Sequence, residues 1–176
     1  MFKTVAAALL ITCSFAAHAG DFSISVDAKD AQGMIAQRHT YNGFGCTGQN
    51  LAPAIQWQSV PSNAKSLALT VFDPDAPTGS GWWHWVVIDL PATAKGLPQG
   101  SALPPGARSL RNDYGDARWG GPCPPPGDQP HHYVFTVYAL DVPSLGLPAD
   151  ASAAKAGFMI RQHVIGKAET TLRFGR

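Results

Sequence analysis

Proline and glycine interrupt this sequence so often that long helices are excluded from most of it. The 176 residues include 18 glycines and 15 prolines without a repeating period, and nine of the prolines fall between residues 91 and 130. Proline breaks helices and is confined to turns and strand edges, while glycine supplies the backbone conformations of tight turns. The pattern excludes collagen and a helical bundle, and it predicts short strands joined by turns and long loops.

Runs of alternating or continuous apolar residues predict the strands. Residues 133–140 alternate with the two-residue period of a half-buried strand. Residues 83–90 are nearly all apolar, which is typical of a strand buried on both faces. The predicted strands are 22–26, 55–57, 66–72, 83–90, 133–140 and 170–174.

One segment near the C-terminus has helical spacing. Apolar residues recur every three or four positions from Ala153 to Val164, after Asp150, which is a suitable N-cap. Gly166 is expected to end this helix. Many strands followed by one helix predict a mainly β protein, an antiparallel β-sandwich with a peripheral C-terminal helix. The length predicts one domain, over residues 20–176.

The composition excludes two broad classes of protein. Hydrophobic residues make up 45% of the sequence, which suffices for a packed core and excludes global disorder. Charged residues make up only 14%, and the formal net charge is +1. Because there is no strongly basic field, nucleic-acid binding is not expected.

The first 19 residues have the pattern of a secretory signal peptide. Lys3 precedes an apolar run from Val5 to Phe15, and a small-x-small motif ends at Ala19. We predict cleavage after Ala19 and a periplasmic or secreted protein. An ordinary N-terminal helix and a lipoprotein anchored through Cys13 are the alternatives. The run is too short to cross a membrane, and no later run is long enough, so no membrane span is expected.

Removal of the signal peptide leaves Cys46 and Cys123. An even number of cysteines in an oxidising compartment favours a disulfide between them. Two buried free thiols are one alternative. A catalytic Cys123 with a nearby histidine is another, and a disulfide would exclude it because the thiolate nucleophile would be lost.

Two segments at predicted strand ends combine rigid turns, histidines and aromatic residues. The first runs from Asp73–Pro77 to Trp82–Trp85, and the second from Gly120–Gly127 to His131–Tyr133. Loops at strand ends often carry binding sites because a rigid scaffold positions them. The two segments are therefore the candidates for a functional site.

Strand alternation assigns the histidines of the second segment to faces. His131 and Tyr133 share one face and are expected to point into the same pocket, while His132 faces the other way. A single histidine in such a position is more often structural than a ligand. Together with the proline-rich loops, however, these residues favour a site.

The same alternation applies to the tryptophans of the first segment. Trp83 and Trp85 are expected to share a face and to belong mainly to the core. Trp82 is then expected to share the face of His84 and to form a pocket wall.

The two segments resemble the signatures of the phosphatidylethanolamine-binding proteins, and most closely those of their bacterial Raf kinase inhibitor-like branch. Residues 111–115 and the tail around His163 are also similar to that branch. The resemblance covers about residues 22–176, and two long motifs in the same order make it specific. It implies a sandwich of antiparallel sheets with a small anion pocket at one end.

The resemblance also implies a ligand and a set of site residues. Members of this family bind phosphate, acetate or phosphoryl head groups, and some inhibit kinases or serine proteases. The positions that match the family's pocket are Asp73, His84, Gly121, His131 and Tyr133, and those that match its rim are Asp75, Pro77, Trp82 and Pro122.

These residue types suit a phosphoryl group. The two histidines and Tyr133 have N–H and O–H donors, and imidazolium would add positive charge. Gly121 permits close backbone approach, so its N–H is expected to reach the anion. Asp73 would repel an anion, and we expect it to orient a histidine or to receive an ammonium group. Loop capping is the alternative for Asp73 and Asp75.

The sequence thus predicts an exported binding protein for a small anionic ligand such as phosphate or phosphoethanolamine. A module that binds a protein partner through the pocket rim, as a kinase or protease inhibitor, is the alternative. A metal-dependent hydrolase with Asp73, His84 and His131 as ligands is the third hypothesis, although neither metal-binding spacing nor a nucleophile motif supports it. Neither enzymatic activity nor a metal or cofactor is expected.

Overall fold

Two main antiparallel sheets, a two-stranded hairpin and one α-helix make up the described part of the chain. The structure is a computed structural model that describes residues 20–100 and 102–176. The predicted signal peptide, residues 1–19, lies outside the described residues. The elements are β1 (Ser23–Asp27), β2 (Asn42–Gly43), β3 (Cys46–Thr47), β4 (Ala54–Gln58), β5 (Ser66–Asp73), β6 (Trp82–Pro91), β7 (Gly96–Leu97), β8 (Arg108–Leu110), β9 (His131–Leu140), α1 (Ala153–His163) and β10 (Val164–Phe174). A short 3-10 helix (Gln37–His39) lies between β1 and β2.

The two main sheets pack face to face around the larger core. The five-stranded sheet has the order β10-β9-β5-β6-β8, and the three-stranded sheet has the order β1-β4-β7. Ile55 and Trp57 of the smaller sheet are fully buried with Val71, Trp85 and Phe135 of the larger one. This packing confirms the predicted antiparallel β-sandwich.

A second core covers the outer face of the five-stranded sheet. Ala156 and Ile160 of α1 pack with Val86 and Ile88 of β6 and with Leu110 of β8. The central strands β5 and β6 are therefore buried on both faces, which explains the nearly continuous apolar run in β6. The helix lies at the periphery, as predicted.

Both predicted ends of the helix are wrong. Ser152, and not Asp150, is the N-cap, because its hydroxyl accepts a hydrogen bond from the Lys155 N–H at 3.2 Å. The helix ends at His163 rather than at Gly166, and β10 begins at the next residue. Strand β10 then pairs with β9 along its whole length. Its backbone N–H and C=O groups therefore form their hydrogen bonds in the sheet and not in a further helical turn. The predicted strand 170–174 is only the second half of β10.

The other predicted strands agree with β1, β4, β5, β6 and β9 to within two residues at each end. The described residues of the proline-rich region, 91–100 and 102–130, are mostly irregular and include the short strands β7 and β8. Strand β5 runs antiparallel to both β6 and β9. The end of β5 therefore lies beside the starts of its two neighbours, and the two sequence segments with histidines meet there.

Candidate ligand-binding site

A cavity of about 180 Å³ opens where β5 ends and where β6 and β9 begin. Asp73 is the last residue of β5, Trp82 is the first of β6 and His131 is the first of β9. Loops from three other parts of the chain complete the wall. The lining residues are Phe44, Asp73, Ala76, Pro77, Thr78, Trp82, His84, Tyr114, Cys123, Pro124, Pro125, His131 and Tyr133.

A β-bulge in β6 positions His84 at this cavity. Two consecutive residues of β5 pair with Trp83 and Trp85, so His84 between them is the extra residue of the bulge. Because of this bulge, the prediction that Trp83 and Trp85 share a face is wrong. Trp85 packs in the core between the sheets, whereas Trp83 packs on the helix side of the large sheet. Trp82 and His84 both line the cavity.

The His84 ring is hydrogen-bonded on one side and free on the other. Its Nδ1 lies 2.6 Å from the Gly120 carbonyl oxygen, and since a carbonyl only accepts, Nδ1 carries the hydrogen and donates it. Its Nε2 is buried without a partner. Burial lowers the pKa of His84 to about 4, so the ring is neutral at pH 7 and Nε2 is a lone-pair acceptor. This corrects the expectation that His84 offers an imidazolium or a free N–H to the ligand-free cavity.

Asp73 performs two of the roles considered for it at once. Its Oδ2 lies 2.7 Å from Nδ1 of His131, and both side chains are buried. Its Oδ1 accepts hydrogen bonds from the backbone N–H groups of Asp75 (2.8 Å) and Ala76 (3.2 Å), which caps the loop after β5. Because both oxygens already have partners, Asp73 orients the histidine and the loop instead of standing free for an ammonium group.

His131 has a carboxylate beside each ring nitrogen. In addition to the bond to Asp73, its Nε2 lies 3.5 Å from Oδ2 of Asp128. Its neighbour His132 is exposed on the other face, where both its backbone N–H (2.7 Å) and its Nδ1 (2.8 Å) contact the Asp75 carboxylate. His131 and His132 thus lie on opposite faces of β9, as expected. Asp75 faces His132 and not the cavity, although it was expected at the rim.

Tyr133 places a buried hydroxyl in the wall of the cavity. The residue is fully buried on the same face of β9 as His131, and its hydroxyl has no hydrogen-bond partner. Its ring meets the His84 ring edge-on, with centroids 5.0 Å apart. Burial raises the pKa of Tyr133, so the O–H remains protonated and available to donate.

Gly121 and Pro122 have a structural role that differs from the expected one. The Gly121 N–H donates to Oδ1 of Asn50 at 2.7 Å and is therefore not free for an anion. A side chain at this position would overlap the His39 carbonyl oxygen, so glycine is needed for close packing of two loops. The Pro122 carbonyl accepts from the Tyr41 N–H at 3.0 Å in the same contact. Neither residue lines the cavity, whereas the predicted rim residue Pro77 does.

The predicted disulfide between Cys46 and Cys123 is present, with Cα atoms 6.0 Å apart. It joins the hairpin β2–β3 to the proline-rich loop, and Cys123 and the next two prolines line the cavity. The Arg176 guanidinium stabilises the same contact between hairpin and loop, because it donates hydrogen bonds to the carbonyl oxygens of Gly45 (2.9 Å) and Pro124 (2.7 Å). The hairpin is thereby fixed at the cavity mouth.

Sequence reasoning missed the aromatic side of this mouth. Tyr114 stacks on Tyr41 with ring centroids 3.9 Å apart, and Phe44 lies 5.8 Å from both rings. Phe44 is 72% exposed and has a φ of +51° in the hairpin turn. The motif at residues 111–115 pointed to Tyr114 only through the family resemblance. Nothing in the local sequence pattern indicated Phe44.

Two further properties concern the described residues. Within residues 20–100 and 102–176, no three histidine, cysteine or acidic side chains form a group that could hold a metal ion. The only α-helix described in these ranges, α1, is neither long nor apolar enough to cross a membrane.

Comparison with known proteins places this β-sandwich and its cavity in one class. The chain matches the family described as "Phosphatidylethanolamine-binding protein" over residues 26–175. It is 42% identical to the UPF0098 protein YbcL of Escherichia coli, with 97% of each chain aligned. The crystal structure of E. coli YbcL, described as a new member of the mammalian PEBP family, has a TM-score of 0.84 and covers 89% of this chain and 99% of that one.

The chain therefore belongs to the phosphatidylethanolamine-binding protein family, and this membership supports a ligand-binding protein. A further relative, the putative lipoprotein LppC of Mycobacterium tuberculosis, is 42% identical over 125 residues, which are 71% of this chain and 60% of the relative. This relative and the disulfide favour a location outside the cytoplasm.

Proposed function

We propose that this protein is an exported binding protein whose cavity takes a phosphoryl or similar small anionic group. One observation carries the proposal. Two buried polar atoms of lining residues, Tyr133 Oη and His84 Nε2, have no hydrogen-bond partner in the protein. Buried polar atoms without partners cost free energy, and native proteins retain them mainly where a ligand or water completes the bond. The Trp82 Nε1 is a third such atom in the same wall.

The size and position of the cavity support a small head group. About 180 Å³ corresponds to the volume of several water molecules, which is sufficient for one phosphoryl group but not for a long chain. The aromatic residues Phe44 and Tyr114 line the mouth of this cavity and would contact whatever the group is attached to. Phosphate and phosphoethanolamine are therefore suitable probes.

The proposal is one of binding and not of catalysis. Cys123 is in a disulfide, so it has no thiolate to act as a nucleophile. Export by cleavage after Ala19, to the periplasm or the medium, is part of the same proposal and is supported by the disulfide.

A module that binds a protein partner through the rim is the second candidate. Phe44 favours it, because a large aromatic side chain with 72% exposure and a positive φ is held at the cavity mouth. Such a partner would be contacted by the aromatic mouth, and the cavity would remain open to a small anion.

Calorimetric titration of the purified protein with phosphate and phosphoethanolamine tests the proposal. Tyr133→Phe is expected to weaken binding about tenfold to a hundredfold, the value of one hydrogen bond to a charged group. His132→Ala is the matched control, since this neighbouring residue faces away from the cavity. Absence of binding by the parent protein would contradict the proposal and favour the protein-binding module.

A further inference from the structure

The cavity has an unusual charge balance for an anion site. Its lining residues, all within the described ranges, include no lysine or arginine. The one lining carboxylate, Asp73, is negative, and a second carboxylate, Asp128, approaches His131 from outside. A fully ionised phosphoryl dianion would therefore enter a site without a fixed lysine or arginine charge. This requires another source of attraction.

The hydrogen-bonding capacity of the free atoms indicates what that source is. The Tyr133 hydroxyl donates, whereas His84 Nε2 accepts, because the hydrogen of this neutral ring is on Nδ1 and is bonded to the Gly120 carbonyl. An oxyanion beside Nε2 would set lone pair against lone pair. An O–H group of the ligand would instead donate to Nε2, while another of its oxygens accepts from Tyr133.

The groups packed around His84 favour the neutral ring. Tyr133 of β9 and Tyr114 of its loop meet the ring edge-on, and Trp119 lies on a further side with centroids 6.5 Å apart. The backbone of Gly120 and Gly121 and the Asp73 carboxylate favour the charged ring, whereas His131 disfavours it. Burial outweighs these contributions and keeps the ring neutral above pH 5.

We propose that the cavity binds its phosphoryl group as the monoprotonated form, whose P–O–H donates to Nε2 of His84. The inference rests on the proposed function and deepens it. The proton balance is simple: a monoanion enters with its own proton, and a dianion takes one proton from solvent for each ligand bound. The P–O–H bond stays intact in the complex, and no covalent bond to the protein forms.

Sulfate is the matched probe for this inference. It has the shape and size of phosphate, but it carries no proton between pH 5 and 8. We expect phosphate to bind at least about tenfold more tightly than sulfate at pH 6. Phosphate gains one hydrogen bond to His84 Nε2, where a sulfate oxygen would meet lone-pair repulsion. Equal affinity for the two anions would overturn the inference.

Proton uptake is the second readout, and phosphoethanolamine is its probe. The second pKa of a phosphate monoester is about 6, so its affinity should fall about tenfold per pH unit above this value and be constant between pH 5 and 6. Calorimetry at pH 8 in two buffers of different ionisation enthalpy should report close to one proton taken up for each ligand bound. A flat affinity profile without proton uptake would overturn the inference. Comparison with inorganic phosphate distinguishes a head group from a free anion.

Two variants assign the effect to His84. His84→Asn retains an amide N–H near the position of Nδ1, which can still donate to Gly120, but it lacks Nε2. It is expected to lose the preference for phosphate over sulfate and the dependence on pH. Tyr133→Phe should weaken phosphate and sulfate alike and keep the pH dependence. His84→Gln replaces His84→Asn if the latter does not fold, and the anion comparison on the parent protein needs no variant.

The outcomes separate the two proposals. Binding of both anions with equal affinity would leave the proposed function standing and overturn the protonated ligand. Failure of the parent protein to bind phosphate, phosphoethanolamine and sulfate at every pH would contradict the proposed function, and the inference with it.

Discussion

Nδ1 of His131 lies 2.7 Å from Oδ2 of Asp73, and the two residues belong to the adjacent strands β9 and β5. The same carboxylate caps the loop after β5 through its other oxygen. One buried side chain thus joins the two sequence segments that form the cavity. The position of the cavity wall depends on this contact.

Asp73→Asn is expected to destabilise the protein by about 3 kcal/mol, because a buried, hydrogen-bonded charge is removed and the amide cannot accept on both sides. Asp75→Asn is the matched control, since Asp75 is exposed and its carboxylate contacts the exposed His132. This substitution should lower the free energy of unfolding by less than about 1 kcal/mol. Urea unfolding at pH 7 measures both. Equal losses would mean that the Asp73 contacts do not support the fold.

Stability is expected to fall between pH 7 and pH 4 because of His84. The folded pKa of about 4 lies below the ordinary value of 6.5, so in this interval the unfolded chain binds more protons than the folded one. Acidification therefore favours unfolding, by up to about 3 kcal/mol. Burial also lowers the pKa of His39, which acts in the same direction.

The variant His84→Asn isolates this contribution. Urea unfolding at pH 7, 6, 5 and 4 should give a flatter dependence for the variant than for the parent protein. Burial raises the pKa of Asp75, but hydrogen bonds from His132 outweigh burial and bring this pKa below 3.8, so Asp75 loses its stabilising charge mainly below this interval. Parallel curves for the variant and the parent would contradict the assignment to His84.

Removal of the Cys46–Cys123 disulfide is expected to lower stability by about 4 kcal/mol, because the bond closes a loop with a sequence separation of 77 residues. The double variant Cys46→Ser/Cys123→Ser should have a lower unfolding temperature than the oxidised parent. Dithiothreitol should lower the unfolding temperature of the parent and leave that of the double variant unchanged. A shift in the double variant as well would mean that the reductant acts elsewhere.

Two glycine-to-alanine substitutions should change stability in opposite directions. Gly121→Ala places Cβ against the His39 carbonyl oxygen and is expected to lower the unfolding temperature and the soluble yield. Gly157→Ala in α1 places Cβ at an ordinary contact distance of 3.6 Å from the Trp83 ring, and it should stabilise the helix by about 0.5–1 kcal/mol. Thermal unfolding measures both. A neutral Gly121→Ala would contradict the close packing of the two loops.

Much of the fold could be predicted because strand patterns are local. The period of two identified β1, β5 and β9, and it assigned His131 and Tyr133 to one face. The pattern failed where a strand is irregular or its partner is distant. An extra residue in β6 cannot be identified from β6 alone, because the bulge is defined by its pairing with β5. Likewise, β10 is extended at Val164 because β9 lies beside it, although the local spacing there is helical.

The site was predicted in outline, and its chemistry was not. The residues around Asp73 and His131 were identified from the sequence because they follow strand ends next to rigid turns. The hydrogen bonds that commit Gly121 to Asn50 and His84 Nδ1 to Gly120 depend on loops that are distant in the chain. The sequence indicated that His84 would donate an N–H to the ligand, whereas in the structure its free Nε2 is an acceptor.

The sequence by itself determined the strand periods, the two cysteines outside the predicted signal peptide and the residue types at the strand ends. Each of these is a property of neighbouring residues and of side-chain chemistry. The tertiary structure decided which face His84 occupies, which of its nitrogens is free and which glycine is needed for packing. These features depend on strand register and on loop contacts across the sandwich, where burial and a single fixed hydrogen bond determine the protonation of a side chain.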